Sequence, residues 1–273
     1  MRTLIYLSAI LGFTSMAYGQ QLVVGIETAG VDVQSSDLTG FPDVAWSPLW
    51  NMEVSGAAAS PDGALYLCNG SFTTHLYKST NLGTPVQIAT LSEDIHALAY
   101  GNGKLYGYSN FADTKGIYEI NTSTGECTLV LDVYTDYGFR FFALGYNPVD
   151  GLLYGYTEYG DSGLYSININ SGEMIKIVGT IPASNGQGRG LAVGNNTIYL
   201  TATRGDDGIP YFAYDLAQGV GGEWVPFNNP YTDYHSTGAA AWIPAPCTGD
   251  LDGDGDTDQS DLGILLANYN CNN

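Results

Sequence analysis

A tyrosine recurs at a nearly constant interval through the middle of the chain. Successive recurrences are 40, 48 and 45 residues apart, and a second aromatic follows each one 11 or 12 residues later. The first members are Tyr66, Tyr106, Tyr154 and Tyr199, and the second members are Tyr77, Tyr118, Tyr165 and Tyr211. Self-similarity at this period indicates one supersecondary unit used several times, because a single unit of this length cannot bury its apolar face alone.

Each unit has the pattern of four short strands. The unit that starts at Ala97 contains a strand of small residues, a "GNG" turn, a "LYGY" strand and a loop. An "IYEIN" strand, a "TSTGE" turn and a final alternating strand complete it, and similar units start at Gly56, Ala143 and Leu191. Aromatic and β-branched residues between Gly, Asn and Asp turns are typical of antiparallel hairpins. Four strands in about 40 to 50 residues predict an all-β fold, with each unit forming one blade of a β-propeller.

The units also resemble those of secreted bacterial β-propellers, whose blades carry similar "G-x-LY" and "TGE" turns. The resemblance covers most of the chain after its first segment, and it implies the propeller fold without implying an activity. The small first strand agrees with that fold, because large side chains from every blade would collide near a common axis.

The ends of the repeat region predict a shared last blade. The segment "STGAAAWIP", residues 236–244, matches an innermost strand, and "QLVVGIETAGVDVQSS" near the start resembles the outer half of a unit. If both ends build one blade, the ring closes and leaves no open sheet edge. We therefore expect five blades, although this shared blade lacks one identifiable strand, and six blades are the alternative.

Aligning the five innermost strands places polar residues at equivalent positions. Three residues before the first small residue stand Glu53, Asp94, Arg140, Gln187 and His235, and one residue before it stand Ser55, His96, Phe142, Arg189 and Thr237. Rotation about the axis relates these positions, so they should converge at one mouth of the central channel. We expect the ligand-binding residues there to be Glu53, Asp94, His96, Arg140, Arg189 and His235. The alternative is a structural lining, with salt bridges between neighbouring blades.

The first 19 residues have the pattern of a secretory signal peptide. Arg2 precedes an apolar run, and Ala17 and Gly19 occupy the two positions at which cleavage sites carry small residues. Cleavage is expected before Gln20, and the run is too short to span a membrane, which takes roughly 20 residues. We therefore expect a secreted protein with no membrane span. Its net charge of −20 argues against a nucleic-acid partner, since phosphate binding requires a basic surface.

The chain ends in an acidic segment with the spacing of a calcium loop. Counted from the first aspartate, carboxylates fall at positions one, three, five, seven, nine and twelve, and a glycine falls at position six. The expected calcium ligands are Asp250, Asp252, Asp254, Asp256, Asp258 and Asp261. Asp256 would contribute its main-chain carbonyl, and Asp258 would act directly or through water. A helix should follow, capped by Ser260 and carrying the apolar stripe Leu262, Leu265, Leu266 and Tyr269.

A calcium loop followed by one helix, with Asp at position twelve, resembles a single repeat of a type I dockerin. Pro244 and Pro246 would form a stiff linker, so the expected domains are the propeller at 20–243 and the linker with its module at 244–273. Dockerins carry two repeats and bind cohesins, which implies a cohesin-like or cell-surface partner. Cys247 and Cys271 bracket the acidic segment, and we expect them to form a disulfide. A self-contained module closed by this disulfide is an equal alternative to the dockerin role. Cys68 and Cys127 are expected either as two thiols or as a bridge.

Two functions of different classes fit these features. The first is a non-catalytic secreted propeller that presents a binding or scaffolding surface and is assembled or retained through its calcium-binding tail. The second is a carbohydrate-active enzyme, because dockerin-like modules accompany polysaccharide-degrading domains. In that case Glu53 and Asp94 would be the pair of carboxylates that glycosidic cleavage requires. We assign no catalytic residue from the sequence.

Overall fold

The computed structural model contains five antiparallel sheets of four strands each. The residues that the structure describes are 20–26, 31–69, 74–110, 115–133, 140–158, 160–182, 187–203, 209–231, 238–245, 259–260 and 262–263. The innermost strands of neighbouring sheets contact one another around a closed ring. The predicted five-bladed β-propeller is therefore confirmed.

Twenty strands build the ring, and the chain passes through the blades in order. The strands of the first half are β1 Gln21–Ile26, β2 Asp32–Ser36, β3 Ser47–Asn51, β4 Gly56–Ala59, β5 Leu65–Asn69, β6 His75–Ser79, β7 Val86–Thr90, β8 Ala97–Gly101, β9 Lys104–Ser109 and β10 Gly116–Ile120. Those of the second half are β11 Cys127–Leu131, β12 Phe141–Asn147, β13 Leu152–Thr157, β14 Gly163–Ile167, β15 Met174–Val178, β16 Gln187–Gly194, β17 Thr197–Thr203, β18 Tyr211–Asp215, β19 Val225–Phe227 and β20 Gly238–Ile243. One 3₁₀ turn, Leu216–Gln218, follows β18.

Blades 1 to 4 are continuous in sequence, and blade 5 joins the two ends of the propeller. Blade 1 is β4–β7, blade 2 is β8–β11, blade 3 is β12–β15 and blade 4 is β16–β19. In blade 5 the order is β20-β1-β2-β3, and β1 pairs with β20 from Gln21–Ile243 to Ile26–Gly238. The N-terminal segment therefore supplies the second and third strands of this blade, not its outer half. The strand that the sequence left unidentified is β3, Ser47–Asn51.

The "TGE" turns between the third and fourth strands are held by an asparagine side chain. In blade 2 the Oδ1 of Asn121 accepts hydrogen bonds from the main-chain N–H groups of Ser123 and Thr124, at 3.0 and 3.2 Å. Gly125 then adopts a φ of 80°, a left-handed conformation that favours glycine. Asn168 forms the equivalent turn in blade 3 with Asn170 and Ser171.

Small residues let the innermost strands approach one another closely. A Cβ on Gly190 of β16 would lie only 2.4 Å from the main-chain carbon of Ala239 in β20. Buried aromatic and aliphatic side chains of the second and third strands fill the space between blades farther from the axis. The sequence prediction that small residues mark the axis is consistent with this packing.

Other predicted features fall partly on the described residues. Cys68 and Cys127 are thiols and form no bridge. Among the described residues, no helix is long and apolar enough to cross a membrane. In the tail, residues 259–260 and 262–263 are helical, so Ser260 lies within the helix and is not its N-cap. Leu262 is 51% exposed.

Candidate functional site

The connection into the innermost strand of blade 2 carries a hydrogen-bonded carboxylate and an imidazole. The Oδ1 of Asp94 lies 3.5 Å from the Nε2 of His96, and both side chains are mostly buried. Thr74, just before β6, donates its hydroxyl to the same Oδ1 at 3.0 Å. The Thr74 hydroxyl in turn accepts the main-chain N–H of Ile95 at 3.2 Å. The Asp94 carboxylate is therefore held from two sides, by the Thr74 hydroxyl and by the His96 ring.

The innermost strands of blades 3 and 4 contact each other through an arginine and an aromatic ring. The guanidinium carbon of Arg189 in β16 lies 4.0 Å from the ring centroid of Phe142 in β12, which is within the range of a cation–π contact. Both side chains are half-buried. The pairing register of each innermost strand shifts here, between Phe141 and Ala143 in β12 and between Gly188 and Leu191 in β16. Such bulges redirect side chains, and they are common beside functional sites.

The other described mouth residues lie just before or at the start of their innermost strands. Glu53 is exposed, and Arg140 is half-buried immediately before β12. Ser55 is buried and donates its hydroxyl to the main-chain oxygen of Cys68 at 3.1 Å. Gln187 is the first residue of β16. His235 and Thr237 lie outside the described residues.

The fifth innermost strand is offset by one residue from the sequence alignment. A Cβ on Gly101 would meet the ring of Tyr146 in the next blade, and a Cβ on Gly194 would meet Trp242 in the same way. Trp242 is therefore equivalent to Tyr146, and Ala239 takes the place that the alignment gave to Gly238. The residue before Ala239 is Gly238, so Gly238 and not Thr237 is equivalent to Arg189. A Cβ on Gly238 would lie 3.6 Å from the Cβ of Arg189, which agrees with this register.

A groove of about 390 Å³ opens between blades 1 and 2, at the end where the first two strands of each blade turn. This groove was not predicted from the sequence. Tyr66 and Tyr100 line it with their rings stacked at 5.7 Å, and the ion pair of Lys104 with Glu119 lines it at an N–O distance of 2.8 Å. Burial raises the pKa of the Tyr100 hydroxyl, so this hydroxyl stays protonated at neutral pH. The only feature of the sequence that relates to this groove is the regular spacing of the tyrosines. That spacing indicates packing between blades as much as a groove.

The predicted calcium loop lies outside the described residues. All six aspartates of the calcium loop, together with Cys247 and Cys271, lie outside the described residues. Within the part of the chain that the structure describes, no cluster of three or more His, Cys, Asp or Glu side chains could hold a metal ion. The described site therefore offers an arginine, a carboxylate, an imidazole and an aromatic ring, which suit hydrogen bonding and charge recognition.

Comparisons with known proteins establish the fold and do not assign a family. No protein-family model matches the chain, and no curated protein matches it in sequence. Among solved structures, a protein of unknown function from Bacteroides thetaiotaomicron VPI-5482 is similar with a TM-score of 0.51 and 17% identity, over 84% of this chain and 72% of that one. TolB from Acinetobacter baumannii is similar with a TM-score of 0.50 and 14% identity, over 83% of this chain and 67% of that one. At such identities the likeness is one of fold alone.

Proposed function

We propose that this protein is a secreted, non-catalytic β-propeller that binds a ligand at the channel mouth marked by Asp94, His96, Phe142 and Arg189. The contact of Arg189 with Phe142 carries the proposal, because it joins equivalent positions of two blades. Charged side chains that meet near the axis in a partly enclosed site are a typical setting for binding a small polar ligand. Arg140 stands before the strand that carries Phe142 and would complete the site, with Glu53 at its margin.

The ligand class that suits this chemistry is a carbohydrate. A sugar offers hydroxyl groups that can donate to a carboxylate such as Asp94 and accept from a guanidinium such as Arg189. The net charge of −20 disfavours a polyanion and leaves neutral glycans as the better match.

A glycan-array screen of the mature protein with calcium present tests this proposal. Calorimetric titration of the best glycan into an Arg189→Ala variant should then show binding weakened at least about tenfold, the loss of one charge-assisted hydrogen bond. Lys104→Ala is a matched control, because it removes a cation from the other end of the ring. Loss of binding in both variants, or in neither, would argue against the mouth as the site. Glycan cleavage abolished by Glu53→Ala or Asp94→Ala would replace the proposal with the enzymatic alternative.

We propose further that the tail, residues 244–273, binds Ca²⁺ through the six aspartates and connects the propeller to a cohesin-like or cell-surface partner. The spacing of the aspartates and the helical residues 259–260 and 262–263 support this proposal. Calcium titration of the full mature protein, compared with an Asp252→Ala, Asp254→Ala double variant, tests it. We expect one site with an affinity in the range of extracellular modules, roughly 0.1 to 1 mM, and no site in the variant. Calcium binding unchanged by the double substitution would defeat this part of the proposal.

A further inference from the structure

The side chain of Gln20 connects the start of the propeller to a neighbouring blade. Its Oε1 accepts a hydrogen bond from the Nδ2 of Asn195 at 2.9 Å. Asn195 lies in the turn between β16 and β17 of blade 4 with a φ of 50°, while Gln20 directly precedes β1 of blade 5. The next residue, Gln21, is already fixed, because it pairs with Ile243 in β20. Gln20 is therefore the last residue before the sheet, and an amide donor is aimed at its side-chain carbonyl.

We propose that Gln20 is a modification site at which the mature chain closes its own N-terminus into a pyroglutamyl ring. The inference rests on the proposed secretion, since removal of residues 1–19 makes Gln20 the first residue. The free α-amino nitrogen attacks the side-chain carbon Cδ, forming a new N–Cδ bond. The Cδ–Nε2 bond breaks, and Nε2 leaves with the transferred proton as ammonia. No oxidant, reductant or second substrate is required.

The contact with Asn195 favours attack of the amine on Cδ of Gln20. The Asn195 N–H donates to Oε1, the oxygen on which negative charge develops when the amine adds to Cδ. The nucleophile is available near neutral pH, because an α-amino group has a pKa of about 7.7 to 8.0 and is partly unprotonated there. Ring closure involves only the backbone and side-chain torsions of Gln20, so the pairing of β1 with β20 is undisturbed.

The product keeps a carbonyl at its N-terminus. The ring retains the Cδ=Oε1 group as a hydrogen-bond acceptor, while the positive charge of the amine is lost. The modified end has no free α-amine for an aminopeptidase. This protects β1, which lies inside the sheet of blade 5 with β20 on one side and β2 on the other.

The test uses the full mature chain released from an N-terminal fusion by a protease that leaves Gln20 first. Intact-mass measurements over time should show loss of one ammonia. In Asn195→Gly the rate should fall at least about tenfold, a modest part of what an oxyanion donor contributes in an enzyme. Asn196→Gly is the matched control, because Asn196 has a similar φ of 58° but contacts Asn147 instead. Gln20→Asn should keep its full mass, because its shorter side chain cannot close the five-membered ring.

Two results would overturn the proposal. One is a released chain that keeps its ammonia while a free peptide of the sequence Gln-Gln-Leu-Val cyclises in the same buffer. The other is equal cyclisation rates in the parent, Asn195→Gly and Asn196→Gly. Mass spectrometry of the N-terminal peptide of the naturally secreted protein separates failure of cyclisation from failure of the proposed cleavage. A secreted chain that begins elsewhere contradicts the cleavage before Gln20, whereas a chain that begins at an unmodified Gln20 contradicts only the cyclisation.

Discussion

The ring of Tyr199 in blade 4 stacks on the indole of Trp242 in blade 5, with centroids 5.3 Å apart and planes inclined by 6°. Tyr66 and Tyr100 make the same parallel contact between blades 1 and 2. In each case a tyrosine of a second strand meets the aromatic residue near the end of the next innermost strand. The period of tyrosines in the sequence therefore corresponds to a repeated contact between blades.

Removal of Trp242 should weaken the closure of the ring. The Trp242→Ala variant loses the stack with Tyr199 and its packing on Gly194, so we expect the free energy of unfolding to fall by about 3 kcal/mol. Urea denaturation followed by far-ultraviolet circular dichroism measures this change. Val149→Ala is the control, because Val149 is 75% exposed and should lie within about 0.5 kcal/mol of the parent. Equal stabilities of the two variants would contradict a role for the stack.

A methyl group added beneath the same indole should also destabilise the protein. A Cβ on Gly194 would lie 2.1 Å from a ring carbon of Trp242, so Gly194→Ala forces the indole or the strand to move. We expect a loss of about 1 to 3 kcal/mol in the free energy of unfolding, typical of overpacking. Gly179→Ala is the matched control, because a Cβ there meets nothing within 4 Å. Thermal denaturation of both variants should lower the melting temperature only for Gly194→Ala.

Alkaline pH should destabilise the fold through Tyr156. Burial raises the pKa of its hydroxyl to about 12, the nearby Glu158 carboxylate adds to the rise, and the hydrogen bond from the Ile181 N–H opposes it. The unfolded value is about 10, so the stabilisation is complete below pH 10 and is lost as the pH rises through 12. The full difference amounts to about 3 kcal/mol as an order of magnitude.

The Tyr156→Phe variant isolates this contribution. At pH 8 it should be less stable by about 1 kcal/mol, because the Ile181 N–H loses its acceptor. Urea midpoints measured between pH 8 and 11.5 should fall more steeply for the parent than for the variant. Parallel curves would show that the Tyr156 hydroxyl does not titrate differently in the folded protein.

The tail and the propeller should behave as separable units. A chain that stops after Ala245 keeps all twenty strands, so its melting temperature should lie within a few degrees of the parent. A chain that stops before β20 loses the innermost strand of blade 5 and the partner of β1, and it should not fold cooperatively. Calorimetry of the three chains tests both expectations. A large loss of stability in the first truncation would show that the tail supports the ring.

The sequence was sufficient for the architecture because the repeat carried large, buried tyrosines. Tyr66 and its counterparts marked the second strands of four blades correctly, and the two ends of the repeat region predicted the fifth. The register of the fifth innermost strand was wrong by one residue, because Gly238 and the alanines after it are too similar in size to fix an alignment. Trp242 was the better marker, since Tyr100 and Tyr146 place an aromatic side chain at the equivalent position of their blades.

Less of the candidate site than of the fold could be predicted from the sequence. The alignment brought Asp94, His96 and Arg189 to one end of the ring, but it gave no sign of the hydrogen bond from Thr74, which directly precedes β6 of blade 1. The groove beside Lys104 depends on the spacing of two blades, and spacing is a property of tertiary packing. The bulges at Phe142 and Arg189 likewise arise from local register shifts that no residue pattern predicted.

The pairing of β1 with β20 has a consequence for the order in which the protein can form. Leu22 finds its partner Trp242 only after nearly the whole propeller has been synthesised. The ring therefore stays open while the chain emerges from the ribosome. The four continuous blades can form before the fifth, because blade 5 needs both β1 and β20. Ring closure is therefore a late step in folding, because β20 is the last strand of the propeller along the chain.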